Sequence, residues 1–480
     1  MVQTNMDEKL IEEFNKLPED FWNFKNEDTK ELTHSIHNYP AVMVYPISRN
    51  ILSIVGKYQD IDSLLDPFMG SGTVLLEGVL AGVRNVYGND LNPLAYRITK
   101  AKTTVIKEDL NSVKKLIIDD IEQSYNKYQN VLDNVRGYVD QSGYDITAKV
   151  NSKGDWGECA PEILNKYLSH NGVDFEVPKV KNLGFWFVPK CILELTIIKN
   201  VILKIHDQDV RDYFLIAFSE TTRLVSNRRN GEFKMYRMPP EKVKKYEPNV
   251  REIFLQILNT NIEKMNQLKE CVEHMEPYNV NLSLDDACNL SMVPDESIDL
   301  VITSPPYGDS RTTVAYGQFS RVSLQWCDYD ELSYKEIVDI DKKLMGGKPY
   351  KKGFVYDLKS DVLKNSLDRI LEEDKNLERA GEVYSFYYDL DKVLDSVTRK
   401  CRPNSYQFWV VGNRTVKNVQ LPTDEILVEL GETKGLIYVT TLGRIISNKV
   451  MPSQNSPTNE AGKKVKTMNE ELIVVFRKKL

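Results

Sequence analysis

Apolar positions along the chain keep two rhythms. Ile61–Leu65 is a compact apolar run that ends at Asp66; Gly70-Ser71-Gly72 follows, and Val74–Ala81 then has the spacing of a buried helix. Asn85–Gly88 leads into a second acidic strand end at Asp90. Strand, glycine turn, helix and strand make one βαβ unit, for which a right-handed crossover is expected. From about Thr103 to Met275 the apolar spacing changes to threes and fours, and Cys191–Ile205, Val210–Leu224 and Val250–His274 read as helices around a polar, glycine-containing stretch, Ser226–Pro248. Strand signals return at Asn279–Leu284 and Ile298–Thr303. Asp328–Ala380 is polar and rich in charge, with weak order signals. Phe386–Val397 then reads as a helix, Gln407–Val411 as a strand, and Leu436–Ile446 with Leu472–Phe476 as a closing strand pair. The pattern predicts a mostly parallel α/β sheet interrupted near 105–278 and again near 328–382. Insertions of that size do not serve a sheet; they commonly carry substrate recognition.

Composition narrows the class. The chain has 480 residues, 41% apolar and 28% charged, ordinary for a soluble globular enzyme but too long for one simple domain. No run of about eighteen apolar residues occurs, so no membrane span is expected. The polar start Met1–Lys9 shows no signal peptide, and the cytoplasm is the expected location. The six cysteines (Cys159, Cys191, Cys271, Cys288, Cys327 and Cys401) form no Cys-x-x-Cys pair, and histidines number five, so no metal site or disulfide framework is expected. A net charge of −7 argues mildly against a nucleic-acid partner, yet DNA meets only one face of a protein. Between Arg223 and Arg251 nine basic residues stand against three acidic ones, and Lys342, Lys343, Lys348, Lys351 and Lys352 form a second basic run. Either run alone reads as a solvated face.

The glycine turn carries candidate chemistry. In Asp66-Pro67-Phe68-Met69-Gly70-Ser71-Gly72-Thr73 a strand gives way to a helix, where glycines allow a tight turn and the helix start offers unpaired N–H groups. Gly-x-Gly alone would pass as a structural turn. A dinucleotide fingerprint wants a third glycine where Leu75 stands, and no Gly-Lys-Ser/Thr is present for a phosphate loop. Asp90, about twenty residues on, suits ribose hydroxyls. The combination favours an adenosyl ligand without a pyrophosphate.

Thr303-Ser304-Pro305-Pro306-Tyr307-Gly308 follows directly on the strand Ile298–Ile302. Two prolines remove two backbone donors and fix two φ angles, leaving carbonyls free to accept. A serine hydroxyl beside them can bind the hydrogens of an amino group, and a tyrosine offers a flat face to a base. An exocyclic base amine is a poor nucleophile because its lone pair is delocalised; acceptors that hold its hydrogens favour a pyramidal nitrogen able to attack a methyl sulfonium. Such an amine is paired inside a duplex, so the base must be flipped out.

These residues resemble the amino-methyltransferase family of DNA modification enzymes, which couples a loop like Asp66–Thr73 to a tetrapeptide like Ser304–Tyr307. The resemblance implies a Rossmann-like, S-adenosylmethionine-dependent methyltransferase sheet with a closing antiparallel strand pair and two large insertions. It is close over 33–104 and 279–326 and loose over 384–478. It implies that Thr33–Ala41, with Tyr39 and Pro40, is the upstream cofactor motif, and that Gly88–Pro93 is the ribose segment. It places Asp285-Asp286-Ala287 at the adenine amine, Asp286 being favoured. The expected cofactor set is Tyr39, Pro40, Asp66, Pro67, Phe68, Gly70, Ser71, Gly72, Thr73, Asp90 and Asp286; the expected catalytic set is Ser304, Pro305, Pro306 and Tyr307. Serine at the head of the tetrapeptide implies cytosine N4 in duplex DNA as target, within restriction-modification or phage defence, with a cognate restriction endonuclease as a possible partner. Adenine N6 is the alternative, then an RNA or protein amine; a DNA-binding or cofactor-sensing protein without activity fits the intact tetrapeptide poorly. A cytosine-C5 enzyme needs a thiolate after proline, and no Pro-Cys pair occurs.

The expected organisation is a helical extension at 1–32, a cofactor half at 33–104, a helical insertion at 105–278, a catalytic half at 279–327, a second insertion at 328–382 and the remainder of the sheet at 383–480. Arg228, Arg229, Lys234 and Arg311 are the candidate DNA contacts. His34 and His37 read as a wall of the cofactor pocket rather than metal ligands. Tyr316, Phe319 and Arg321 suit the base pocket or the DNA face, and Trp186, Trp326 and Trp409 suit the core.

Overall fold

The computed structural model describes residues 4–25, 27–28, 30–148, 155–229, 234–309, 313–328, 331–348, 350, 356–373, 377–446, 454–455, 465–466 and 470–480. Among them, one sheet contains β1 (Ser63–Asp66), β2 (Asn85–Asn89), β3 (Asn279–Ser283), β4 (Ile298–Thr303), β5 (Cys401–Val411), β6 (Leu436–Ile445) and β7 (Glu470–Lys478). The order across it is β3-β2-β1-β4-β5-β7-β6. The first five strands run parallel; β7 enters antiparallel between β5 and β6, so the closing pair lies beside β5. The βαβ unit and the terminal strand signals predict this mostly parallel sheet with a closing strand pair, and it is the Rossmann-like methyltransferase architecture that the resemblance implies.

Strand alternation divides the core. Leu64, Leu300, Ile302, Phe408, Val410, Ile473 and Val475 face the helices Thr4–Lys16, Tyr45–Val55 and Thr73–Leu80. Their neighbours Leu65, Val301, Trp409, Val411, Val474 and Phe476 face Asp361–Glu373, Leu377–Lys400 and Thr423–Thr433. Both faces are covered, so the central strands read as continuous apolar runs rather than as apolar-polar alternation.

A third core holds the helices Leu110–Gln141, Trp156–His170, Pro189–Ile202, Gln208–Leu224 and Val250–Val272, docked through Leu94, Ala95 and Ile98 of the helix Pro93–Thr103. The helix Tyr316–Cys327, which follows the tetrapeptide, joins this lobe: Trp326 lies between Phe187 at 5.6 Å and Phe218 at 6.1 Å. Two helices, Tyr334–Lys343 and Asp361–Glu373, stand where the sequence shows weak order. The second buries Leu363, Leu367 and Ile370 against the sheet's own helices, an apolar stripe of fours and threes diluted by the charged residues between. Among the described residues no helix is long and apolar enough to cross a membrane.

Candidate active site

The strand ends converge. Asp66 ends β1 and is 3% exposed; its Oδ1 accepts from the Phe68 N–H at 3.0 Å and from the Thr303 hydroxyl at 2.7 Å. Thr303 ends β4, so one carboxylate joins the glycine turn to the segment carrying Ser304. Burial pushes the Asp66 carboxyl up to about 7. Asp90, just beyond β2, accepts from the Gly70 N–H at 3.0 Å and the Asn92 N–H at 2.8 Å, and burial raises it to about 6. Gly70 and Gly72 both have positive φ, +48° and +77°, and a Cβ on Gly72 would lie 2.6 Å from Thr99 Cγ2. Asn92 caps the helix Pro93–Thr103 and donates to Tyr39 Oη at 3.0 Å, which ties the upstream motif to the ribose segment.

A cavity of about 430 Å³ opens among these residues. Ten of the eleven expected cofactor residues line it: Tyr39, Pro40, Asp66, Pro67, Phe68, Gly70, Ser71, Thr73, Asp90 and Asp286. Gly72 instead turns toward Thr99. Ser304 and Pro306 line the same cavity, so the glycine turn and the tetrapeptide share one space. Pro305 is buried behind it, and Tyr307 is half-buried with its hydroxyl donating to Glu471 Oε1 at 2.9 Å. Burial and the neighbouring Glu471 carboxylate hold that phenol neutral, well above its usual range.

Further residues line the cavity, Lys392 and Asp389 among them without a signal in the sequence. Lys342, Lys343 and Lys348, from the second basic run, stand exposed on the cavity wall with Lys392. Asp389 anchors this segment by accepting from the Gly346 N–H at 2.9 Å. Tyr316 lines the cavity as well, whereas Phe319 is buried edge-on to Tyr39 at 6.0 Å. Lys102, 0% exposed, donates to Ser71 Oγ at 3.1 Å, and burial pushes its ammonium down to about 7. Its signal was hidden because a lone lysine in a helix reads as surface. Lys351 and Lys352 lie outside the described residues.

The other candidates separate. Arg228 is 1% exposed, so it does not meet the expectation of a DNA contact in this structure: its Nε donates to Arg223 O at 3.2 Å, and burial lowers its guanidinium to about 10. Arg229 is exposed and Lys234 half-buried, both able to reach a partner. Arg311 lies outside the described residues. Arg237, from the same basic run, donates to the carbonyls of Ile146, Thr147 and Ala148 at 2.6, 3.1 and 2.8 Å. His34 and His37 do not line the cavity; His34 meets Glu77 at 2.7 Å, and His37 meets Ser219 of the helical lobe at 2.9 Å. Trp326 and Trp409 are fully buried, Trp186 partly.

A seven-stranded sheet of this order, with a glycine turn and a Ser-Pro-Pro-Tyr segment on one cavity at the carboxyl ends of adjacent parallel strands, defines a methyltransferase. No family model matches the chain. It is 38% identical over 483 residues to the Type II methyltransferase M.MvaI of Kocuria varians, covering 98% of this chain and 97% of that one. It is 22% identical to the Type II methyltransferase M.MjaII of Methanocaldococcus jannaschii, covering 74% and 72%, and 21% identical to M.BsoBI of Geobacillus stearothermophilus, covering 84% and 78%. The chain belongs to the type II family of DNA methyltransferases.

Proposed function

We propose that the enzyme transfers a methyl group from S-adenosylmethionine to the N4 amine of cytosine in duplex DNA, at a short specific site and with the base flipped out. The observation that carries this reading is the single cavity shared by Ser304 and the Asp66–Thr73 turn. Its donor and acceptor pattern fits the cofactor. Asp90 and Asp286 are acceptors for ribose hydroxyls and the adenine amine, and Ser71 with the N–H groups of the turn suits the amino-acid carboxylate. When bound, the cofactor supplies an electrophilic methyl on a sulfonium.

The chain's own residues supply placement. Thr303 and Asp66 lock the two segments together, and Pro305 and Pro306 hold the backbone rigid. Ser304 Oγ and the stiffened carbonyls hold the hydrogens of the amine, so its lone pair is freed. The amine nitrogen would take the methyl as the carbon–sulfur bond breaks to leave the thioether, and the cationic amine so formed would lose one proton to solvent. Positioning supplies much of the remaining barrier reduction. Stacking on Tyr307 offsets ~1–3 kcal/mol of the cost of unstacking the base. Arg229, Lys234 and the lysines at the cavity wall hold backbone phosphates, and a cognate endonuclease completes a restriction-modification pair.

Expressed in a host without native methylation, the enzyme is expected to leave N4-methylcytosine in hydrolysed genomic DNA. Ser304→Ala should abolish the mark while S-adenosylhomocysteine binding is retained. N6-methyladenine alone would reassign the base, and methyl label in RNA without DNA would reassign the substrate.

A further inference from the structure

Glu471 stands on β7, 164 residues from Tyr307, yet its Oε1 accepts the Tyr307 hydroxyl at 2.9 Å. The Ser304 hydroxyl lies 3.4 Å from the same phenol oxygen. Arg444, 6% exposed on β6, sets Nη1 3.3 Å from Glu471 Oε2 and lies over the Phe24 ring at 5.8 Å. The antiparallel closing pair therefore reaches under the tetrapeptide with one carboxylate and one guanidinium.

Hydrogen-bond polarity follows from chemistry. A carboxylate paired with a guanidinium only accepts, so Tyr307 must donate to it. The phenol oxygen is then left to accept, and Ser304 turns its hydrogen toward Tyr307. The lone pairs of Ser304 Oγ are the part left for the cavity. Without the carboxylate the chain can run the other way. Tyr307 would donate to Ser304, whose hydrogen would then meet the hydrogens of an incoming amine.

We propose that Glu471, held by Arg444, is a positioning residue that sets the direction of the Glu471–Tyr307–Ser304 chain, so that Ser304 presents an acceptor to the substrate amine. The inference rests on the reading of Ser304 as the amine's acceptor and adds the group that orients it. It assigns the closing strand pair a part in catalysis as well as in the sheet.

The test is single-turnover methylation of duplex DNA by the full-length enzyme. Glu471→Gln and Tyr307→Phe are each expected to slow transfer by about tenfold, with the S-adenosylhomocysteine Kd within about twofold of wild type. Because both break one chain, the double variant should be no slower than Tyr307→Phe. A Glu471→Gln enzyme at the wild-type rate would overturn the proposal. So would additive losses, or a Tyr307→Phe enzyme that turns over normally. A wild-type enzyme that methylates no exocyclic amine would overturn the functional reading itself and the inference with it.

Discussion

Asp66 has one oxygen engaged twice, by Phe68 and Thr303, and almost no water. Its carboxyl titrates near 7 rather than at its ordinary 3.8. The folded protein thus holds a proton that the unfolded chain has released, and this contribution is complete below about pH 4 and lost as pH rises through about 7. Asp66→Asn keeps the doubly engaged oxygen and removes the buried charge. At pH 8 it is expected to stabilise the fold by ~1–3 kcal/mol, and at pH 4 by nothing. Urea midpoints at the two pH values measure this; equal shifts at both would refute it. Such a gain would mark a charge kept for function at a cost in stability. The Asp-Pro-Phe-x-Gly-Ser-Gly-Thr pattern made Asp66 legible, but only burial shows that it titrates near neutrality.

The glycine turn is the element on which the site depends. At Gly72 positive φ coincides with a lack of space, since Thr99 fills the place a methyl would take. Gly72→Ala is expected to destabilise the turn by ~1–3 kcal/mol and to weaken S-adenosylhomocysteine binding far more than Gly82→Ala, whose added Cβ meets open space. A fluorescence titration that finds both variants alike would contradict the turn's role. Apolar spacing predicted the strands, the helices Pro189–Ile202, Gln208–Leu224 and Val250–Val272 and part of Leu377–Lys400, but covered Leu110–Gln141 and Trp156–His170 only within a mostly helical stretch. It missed Asp361–Glu373, whose stripe of three buried apolar residues is short and set among charges. It also could not show that Tyr316–Cys327 leaves the sheet to pack beside Phe187 and Phe218.

Across the whole molecule the basic residues divide between structure and surface. Arg228 and Arg237 are drawn inward to carbonyl oxygens, whereas Arg229 and the lysines 342, 343, 348 and 392 remain exposed. Replacing Arg229 and Lys234 by Ala is expected to lower the slope of log K for DNA against log salt by about 1 per lost phosphate contact. Replacing Lys343 and Lys348 should do the same. An unchanged slope would remove that pair from the interface. The sequence by itself determined the βαβ turn, the Ser-Pro-Pro-Tyr segment and the parallel sheet, because each is written in local constraints: glycine at positive φ, proline at fixed φ, apolar runs of strand length. Tertiary structure alone decided which arginines face solvent, that Lys342, Lys343 and Lys348 wall the cavity, and that Glu471 meets Tyr307. Those pairings join residues tens to hundreds of positions apart, and only the register of packed strands and helices brings them together.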